Sequence, residues 1–159
     1  MKKYEFTGET KEIKLLFRTA VLHRIRATVS FGFVKIGDLG GWIEKEENLS
    51  HEGKAWVWGN AKVWGNAEVC GDAEVFSASH VLVIGAIGSR NDFTTFYRDK
   101  DNEITVKCGC FLGKIDRFLE KVTQTHGDSK YALVYRAAVE VAKLQIDLSG
   151  EAPKDADEE

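Results

Sequence analysis

Four six-residue units follow one another between Gly53 and Phe76 and read GKAWVW, GNAKVW, GNAEVC and GDAEVF. A fixed period of this length is typical of solenoids, and a hexapeptide period is typical of parallel β-helices. Each unit places an alanine and a valine two residues apart, so that both side chains point to the same face of a short strand. We expect these residues to form the core: Ala55 and Val57, Ala61 and Val63, Ala67 and Val69, Ala73 and Val75.

Turn dipeptides separate the hexads. Gly59-Asn60, Gly65-Asn66 and Gly71-Asp72 combine glycine with a residue that tolerates positive φ, so the chain can bend after each short strand. The pattern continues in degraded form through residues 77–88, and residues 39–49 read as an irregular earlier coil. The sequence therefore predicts a mainly β protein with a short parallel β-helix over residues 39–88.

The segments on either side of the hexads predict further elements. Residues 1–38 are read as N-terminal strands that pack on the coil. Two β-rich runs, 93–97 and 104–108, are separated by a polar turn, which predicts a hairpin. An apolar stripe predicts a helix over residues 114–124, which ends at Gly127.

A second helix is expected after Asp128 or Ser129, where either residue can cap it. Its core face is predicted to carry Tyr131, Val134, Ala138, Val141 and Gln145. Hairpin and helices together make up a subdomain at 89–148. Residues 149–159 are expected to be a disordered acidic tail, because they are too polar to bury.

Charge and cysteine usage exclude several classes of function. The net charge of −3 over 159 residues offers no basic surface for a nucleic acid polymer. The chain shows no membrane-spanning run and no signal-peptide centre, so a cytoplasmic location is expected. The three cysteines, Cys70, Cys108 and Cys110, are an odd number and are expected to be thiols. A single residue between Cys108 and Cys110 is too short a spacing for a usual zinc pair, so neither metal nor cofactor is predicted.

The hexads resemble those of hexapeptide-repeat left-handed β-helix proteins. The segments GDLGGWIEKEENLS, IGSRNDFTTF, CGCFLG and THGDSKYA extend the resemblance to small hexapeptide-repeat proteins of phages and their bacterial hosts. The resemblance implies a left-handed coil, a homo-oligomer with a trimer favoured, and a place in the host cytoplasm. It also implies that residues three hexads apart stack, with Trp56 over Glu74, Trp58 over Phe76 and Trp64 over Leu82.

This stacking creates an outward column of large apolar residues that includes Trp58, Trp64 and Phe76. Such a column is unfavourable in water, since burying one large apolar side chain is worth roughly 1.5–3 kcal/mol. Two explanations remain open. The strands or helices of the same chain cover it, or it forms the interface of the homo-oligomer.

Two polar loops are candidate ligand sites. Arg90, Thr94 and Thr95 follow the coil, and His126 and Lys130 lie between the two helices. Arginine forks, hydroxyls and a helix N-terminus suit a phosphate or carboxylate. Alternatively, these are ordinary turn and cap residues, and Arg90 pairs with Asp92 or Asp128.

These observations favour a non-enzymatic, phage-encoded binding protein without catalytic residues. It would sequester a small anionic ligand, such as a nucleotide signal of host defence, and so act against that defence. One alternative is a protein–protein interaction module that uses the tryptophan column. The other is a hexapeptide-repeat acyltransferase that uses coenzyme A, with His51 or His80 as the base.

Overall fold

The computed structural model describes residues 2–149. The acidic tail expected at 149–159 lies outside this range apart from Ser149. Two short 3-10 helices, Glu46–Asn48 and Ala78–His80, accompany the main elements. In chain order these are β1 (Tyr4–Lys14), β2 (Thr19–Ala27), β3 (Leu39–Ile43), β4 (Trp56–Val57), β5 (Lys62–Val63), β6 (Glu74–Val75), β7 (Val81–Ile87), β8 (Asp92–Arg98), β9 (Ile104–Cys108), β10 (Phe111–Lys114), α1 (Ile115–His126) and α2 (Lys130–Gln145).

The N-terminal sheet has the strand order β1-β2-β3-β5. The first three strands are antiparallel, with Tyr4 opposite Ala27 and Lys14 opposite Thr19 at the two ends of the β1–β2 hairpin. The last pair, β3 and β5, is parallel. The prediction of N-terminal strands is therefore confirmed.

The second sheet has the order β10-β9-β8-β7 and is antiparallel throughout. The predicted hairpin is confirmed as β8 and β9. Arg98 lies opposite Ile104 at one end of the pairing, and Thr94 lies opposite Cys108 at the other. The turn between them is held by the buried carboxylate of Asp99, which accepts hydrogen bonds from the backbone of Asp101 and Glu103.

Short parallel pairs join the hexads. Strands β4 and β6 pair Trp56 with Glu74, and an isolated bridge joins Leu49 to Val69. The predicted interior positions are confirmed, because all eight hexad alanines and valines are buried. The turn prediction is confirmed as well, since Gly59, Gly65 and Gly71 adopt φ of 55°, 66° and 64°.

The prediction of a short left-handed parallel β-helix is nevertheless wrong. Within residues 2–149, the hexad strands that form parallel pairs are only two residues long. The long strands β1, β2, β7 and β8 all pair antiparallel. The expected degraded hexads at 77–88 instead supply β7, which pairs with β8. Two-residue strands contribute too few ladder hydrogen bonds to set the architecture. The fold is mixed α+β, with mostly antiparallel sheets and two C-terminal helices.

Both predicted helices are present. α1 ends at Gly127, which adopts a φ of 58°, and Ser129 is the N-cap residue of α2. The predicted core face of α2 is wrong for Tyr131, Val141 and Gln145, whereas Ala138 is buried and Val134 is half-buried. Tyr131 and Val141 are exposed, whereas the buried stripe contains Ala132, Tyr135, Ala138, Val139 and Ala142.

Two main cores lie on opposite sides of β8. One surrounds the hexad alanines and valines and includes Tyr97, and the other packs α1 and α2 against Phe96 of the second sheet. Neighbouring side chains of a strand point to opposite faces, so β8 forms the wall between the cores. In the described range, no helix has the length and apolar character needed to cross a membrane.

Candidate functional site

A cleft of about 240 Å³ lies between the β9–β10 turn, the segment after β7 and one face of α1. We call it the β9–α1 cleft. It brings together the two polar loops that the sequence separates by more than a helix length. Its lining includes Arg90, Cys108, Cys110, Lys121, His126 and Tyr135.

Three basic side chains face this cleft. Arg90 comes from the β7–β8 connection, and Lys121 and His126 come from α1. Among residues 2–149 none of the three makes an ion pair. The expected alternative partner Asp128 lies 3.6 Å from Arg136 instead. Asp92 is the single carboxylate in the lining, and its Oδ1 accepts a hydrogen bond from the backbone of Phe93. The cleft therefore carries a local excess of positive charge.

The floor of the cleft is aromatic. The ring of Tyr135 stacks on His126 with centroids 5.7 Å apart and meets Phe118 edge to face at 5.7 Å. Phe111 packs on Phe118 from the β10 side. Such a surface offers a planar ligand an apolar contact, with the exposed cations Arg90 and Lys121 beside it.

Gly88 permits the position of Tyr135. A Cβ atom at residue 88 would lie 1.8 Å from Tyr135 Oη, and the φ of Gly88 is 76°. Both observations restrict this position to glycine. Burial, followed by the proximity of Cys108, raises the pKa of the Tyr135 phenol. Its hydroxyl therefore stays protonated at neutral pH and is available as a donor.

The five ligand residues expected from the sequence occupy different places. Arg90 and His126 line the cleft. Thr94 is buried behind the lining and donates a hydrogen bond to Cys108 Sγ at 3.4 Å. Thr95 is buried on the opposite face of β8, where its hydroxyl accepts from the backbone of Glu68. Lys130 is exposed at the first turn of α2 and does not line the cleft.

Sequence reasoning did not include Lys121 and Tyr135 among the site residues. Lys121 precedes His126 by five residues on α1, about 140° around the helix, so the helical period gave no signal that both residues line the cleft. Tyr135 could not be found either, because its position depends on the wrongly assigned face of α2.

The outward column is largely covered within the chain. Phe76 is buried and stacks on Trp58 at 5.5 Å, while the guanidinium of Arg98 lies 5.3 Å from its ring centre. The predicted stacking of Trp58 over Phe76 is thus confirmed. Trp64 is half-buried against the cluster formed by Leu22 and Trp42.

The two histidines considered as bases make structural contacts. Nδ1 of His80 accepts a hydrogen bond from the backbone of Phe76, and burial lowers the pKa of His80. Nδ1 of His51 accepts from the backbone of Lys3, and its ring stacks on Tyr4 with centroids 4.0 Å apart. Neither histidine lines the β9–α1 cleft.

A second, larger cleft of about 850 Å³ separates the N-terminal half from the second sheet. Its lining carries charges of both signs. Lys114 lies within 3.5 Å of carboxylate oxygens of Asp99, Asp101 and Glu103, and the carboxyl group of Glu74 also lines this cleft. Lys54 and Lys100 also line it and make no ion pair within residues 2–149, so this cleft differs from the β9–α1 cleft by the carboxylates in and beside its lining.

In the comparison with known proteins, no family model and no curated protein matches the chain. Together with the antiparallel sheets, this finding overturns the resemblance to hexapeptide-repeat left-handed β-helix proteins. The phage origin and anti-defence role expected from that resemblance have no support. In the part of the chain that the structure describes, no three His, Cys, Asp or Glu side chains are grouped to hold a metal ion.

Proposed function

We propose that the protein binds a small anionic ligand in the β9–α1 cleft, and that this ligand combines a phosphate group with an aromatic ring, as a nucleotide does. The observation that carries the proposal is the meeting of Arg90, Lys121 and His126 over an aromatic floor without ion pairs in the described chain. Arg90 and Lys121 are exposed and Asp92 is the one carboxylate of the lining, so their charges are accessible to an anionic ligand.

The chemistry of the side chains supports this ligand class. An arginine fork matches two phosphate oxygens, and a lysine adds a mobile point charge. The protonated Tyr135 hydroxyl supplies a further donor, and the half-buried ring of Phe111 offers stacking area to a base. The volume of about 240 Å³ suits a mononucleotide better than a long molecule such as coenzyme A.

The test is thermal shift and calorimetry with AMP, ADP, ATP, cyclic mononucleotides, inorganic pyrophosphate and coenzyme A. A ligand at a hundred times its dissociation constant stabilises the folded protein by about 2.7 kcal/mol, a shift that is easily measured. Arg90→Ala and Lys121→Ala should each weaken binding about tenfold, because each removes a charge-assisted hydrogen bond.

Lys130→Ala is the matched control, since it removes an exposed cation outside the cleft. Its affinity should equal that of the wild type within about twofold, because exposed charges act weakly at a distance in salt. Binding that Lys130→Ala weakens as much as Arg90→Ala, or no binding of any compound in the panel, would refute the proposal.

A further inference from the structure

Two free thiols stand on either side of a tight turn in the wall of the β9–α1 cleft. Cys108 ends β9 and pairs with Phe111, the first residue of β10, so that Gly109 and Cys110 form a two-residue connection. Gly109 has a φ of 58°, as hairpin connections of this length require. Cys108 is partly buried, Cys110 is exposed, and both line the cleft.

The separation of the two cysteines suits a disulfide. Consecutive Cα atoms are about 3.8 Å apart, and residues two apart across a turn approach to about 5–7 Å, which overlaps the range found in disulfides. Gly109 between them has no side chain to obstruct the bridge. Thr94 holds Cys108 by a hydrogen bond of 3.4 Å to its sulfur, whereas Cys110 is free at the surface.

Cationic groups surround the turn. A Cβ atom placed on Gly109 would lie 3.5 Å from Arg90 Nη1, and Lys107 Nζ donates a hydrogen bond to the carbonyl of Gly109. Lys121 and His126 face the turn across the cleft, with Asp92 as the one carboxylate of the lining. Positive charge beside the two thiols raises the local concentration of anionic reagents, and the thiolate is the attacking species in thiol exchange.

The third cysteine offers an internal comparison. Cys70 is partly buried on the hexad side of the molecule, and its sulfur lies 3.7 Å from Tyr97 Oη. Burial raises the pKa of its thiol. Its thiolate is therefore scarce at neutral pH, and we expect it to react slowly.

We propose that the Cys108-Gly109-Cys110 turn is a thiol–disulfide exchange site for anionic low-molecular-weight disulfides. The Cys110 thiolate attacks one sulfur of the disulfide, forms a mixed disulfide and releases the first thiolate. The Cys108 thiolate then attacks Cys110 Sγ, closes the intramolecular disulfide and releases the second thiolate. The two protons lost by the cysteines go to the leaving thiolates, so two protein thiols are oxidised and one small disulfide is reduced to two thiols.

This inference goes beyond the proposed function and does not depend on it, because it requires only the two thiols and the positive charge around them. The experiment is accordingly run without nucleotide. Failure of nucleotide binding would leave its result unaffected, and its own failure would leave nucleotide binding unaffected.

The reduced full-length protein is mixed with oxidised glutathione, which is anionic, or with cystamine, which is cationic, and is quenched with acid at intervals. Intact mass and peptide mapping should show the loss of two hydrogen atoms in the segment with Cys108 and Cys110, while Cys70 stays reduced. The rate of each reagent with the protein is divided by the rate of the same reagent with free N-acetylcysteine, which corrects for the different reactivities of the two disulfides. After this correction oxidised glutathione should react about tenfold faster than cystamine, because the positive cleft concentrates anions.

Two variants separate the steps. The reaction of the Cys108→Ser variant with oxidised glutathione should stop at a stable glutathione adduct on Cys110. The Cys110→Ser variant should remain unmodified over the same time. Lys121→Gln should reduce the preference for oxidised glutathione without preventing disulfide formation. The proposal is overturned if the wild type forms no internal disulfide, if Cys70 reacts as fast as Cys110, or if the corrected rates with the two reagents are equal.

Discussion

The side chain of Glu44 joins the turn of the β1–β2 hairpin to the hexads by hydrogen bonds. Its carboxylate receives both terminal nitrogens of Arg18, at 2.5 and 2.9 Å, and the backbone N–H of Gly65 at 2.8 Å. The hydrogen bonds from Arg18, the largest cause, lower the pKa of Glu44 to about 2. A bidentate pair of this kind fixes orientation as well as charge.

This contact predicts a specific acid sensitivity. A pKa lower in the folded than in the unfolded state stabilises the fold fully above about 4.5, and the stabilisation is lost as the pH falls from there toward 2. Glu44→Gln should cost about 1 kcal/mol at pH 7, a modest value because the pair is partly hydrated. The difference in stability between the variant and the wild type should shrink to about half at pH 3 and disappear only below about pH 2. Urea denaturation at both pH values measures this.

Glu52→Gln is the control, because Glu52 is exposed and makes no ion pair within residues 2–149. Its free energy of unfolding should match that of the wild type at both pH values within about 0.5 kcal/mol. An equal deficit of Glu44→Gln at pH 7 and pH 3 would show that the ion pair is not the source of the effect.

Residue type alone predicted part of the cleft. Arg90 and His126 were found because arginine and histidine in polar loops are unusual among turn residues. Thr94 and Thr95 were wrongly grouped, since neighbours on a buried strand point to opposite faces. Asn48 was not predicted at all. Its buried amide donates to the carbonyls of Gly65 and Ala67 and accepts from the backbone of Lys45, contacts that depend on long-range folding.

At the scale of elements, the helices show what periodicity can and cannot predict. The apolar stripe of α1 and the glycine at position 127 predicted both ends of this helix closely. For α2 the sequence has apolar residues on both sides, so the period fits more than one face. The buried face is the one rich in alanine, because small side chains let the helix approach the second sheet closely.

The orientation of α2 can be checked with two valines of the same helix. Val139→Ala should destabilise the protein by about 1–3 kcal/mol, because Val139 is 1% exposed and its methyl groups fill the second core. Val141→Ala should cost less than about 0.5 kcal/mol, since Val141 is 47% exposed. Chemical denaturation of the two variants provides the measurement. The reverse order of stabilities would favour the face expected from the sequence.

At the scale of the whole molecule, the hexads predicted the interior but not the architecture. Their alternation of alanine and valine requires only that short strands bury one face, and the structure meets this requirement with two-residue parallel pairs. The arrangement of sheets is set by the longer strands, which are connected by short turns and so pair antiparallel. Nothing in the repeats specifies those connections.

The two cores are joined across β8, and Thr95 is one of the contacts that join them. Its hydroxyl accepts a hydrogen bond of 3.0 Å from the backbone N–H of Glu68 in the hexads. Further contacts follow the same line: Tyr97 meets Cys70, and the backbone of Lys100 donates to the carbonyl of Asp72. β8 thus connects the hexads to the wall of the β9–α1 cleft.

Replacing Thr95 tests whether this residue connects the two cores or binds the ligand. Thr95→Val keeps the shape of the side chain but removes the acceptor of the Glu68 N–H, so it should cost about 1–2 kcal/mol of stability. Affinity in the β9–α1 cleft should stay within about twofold of the wild type, because Thr95 lies on the far face of β8. Thr95→Ser retains the acceptor and should lose less. If Thr95→Val kept its stability and lost the ligand, the binding surface would lie on the hexad side of β8, and the unpaired cations of the cleft would require another explanation.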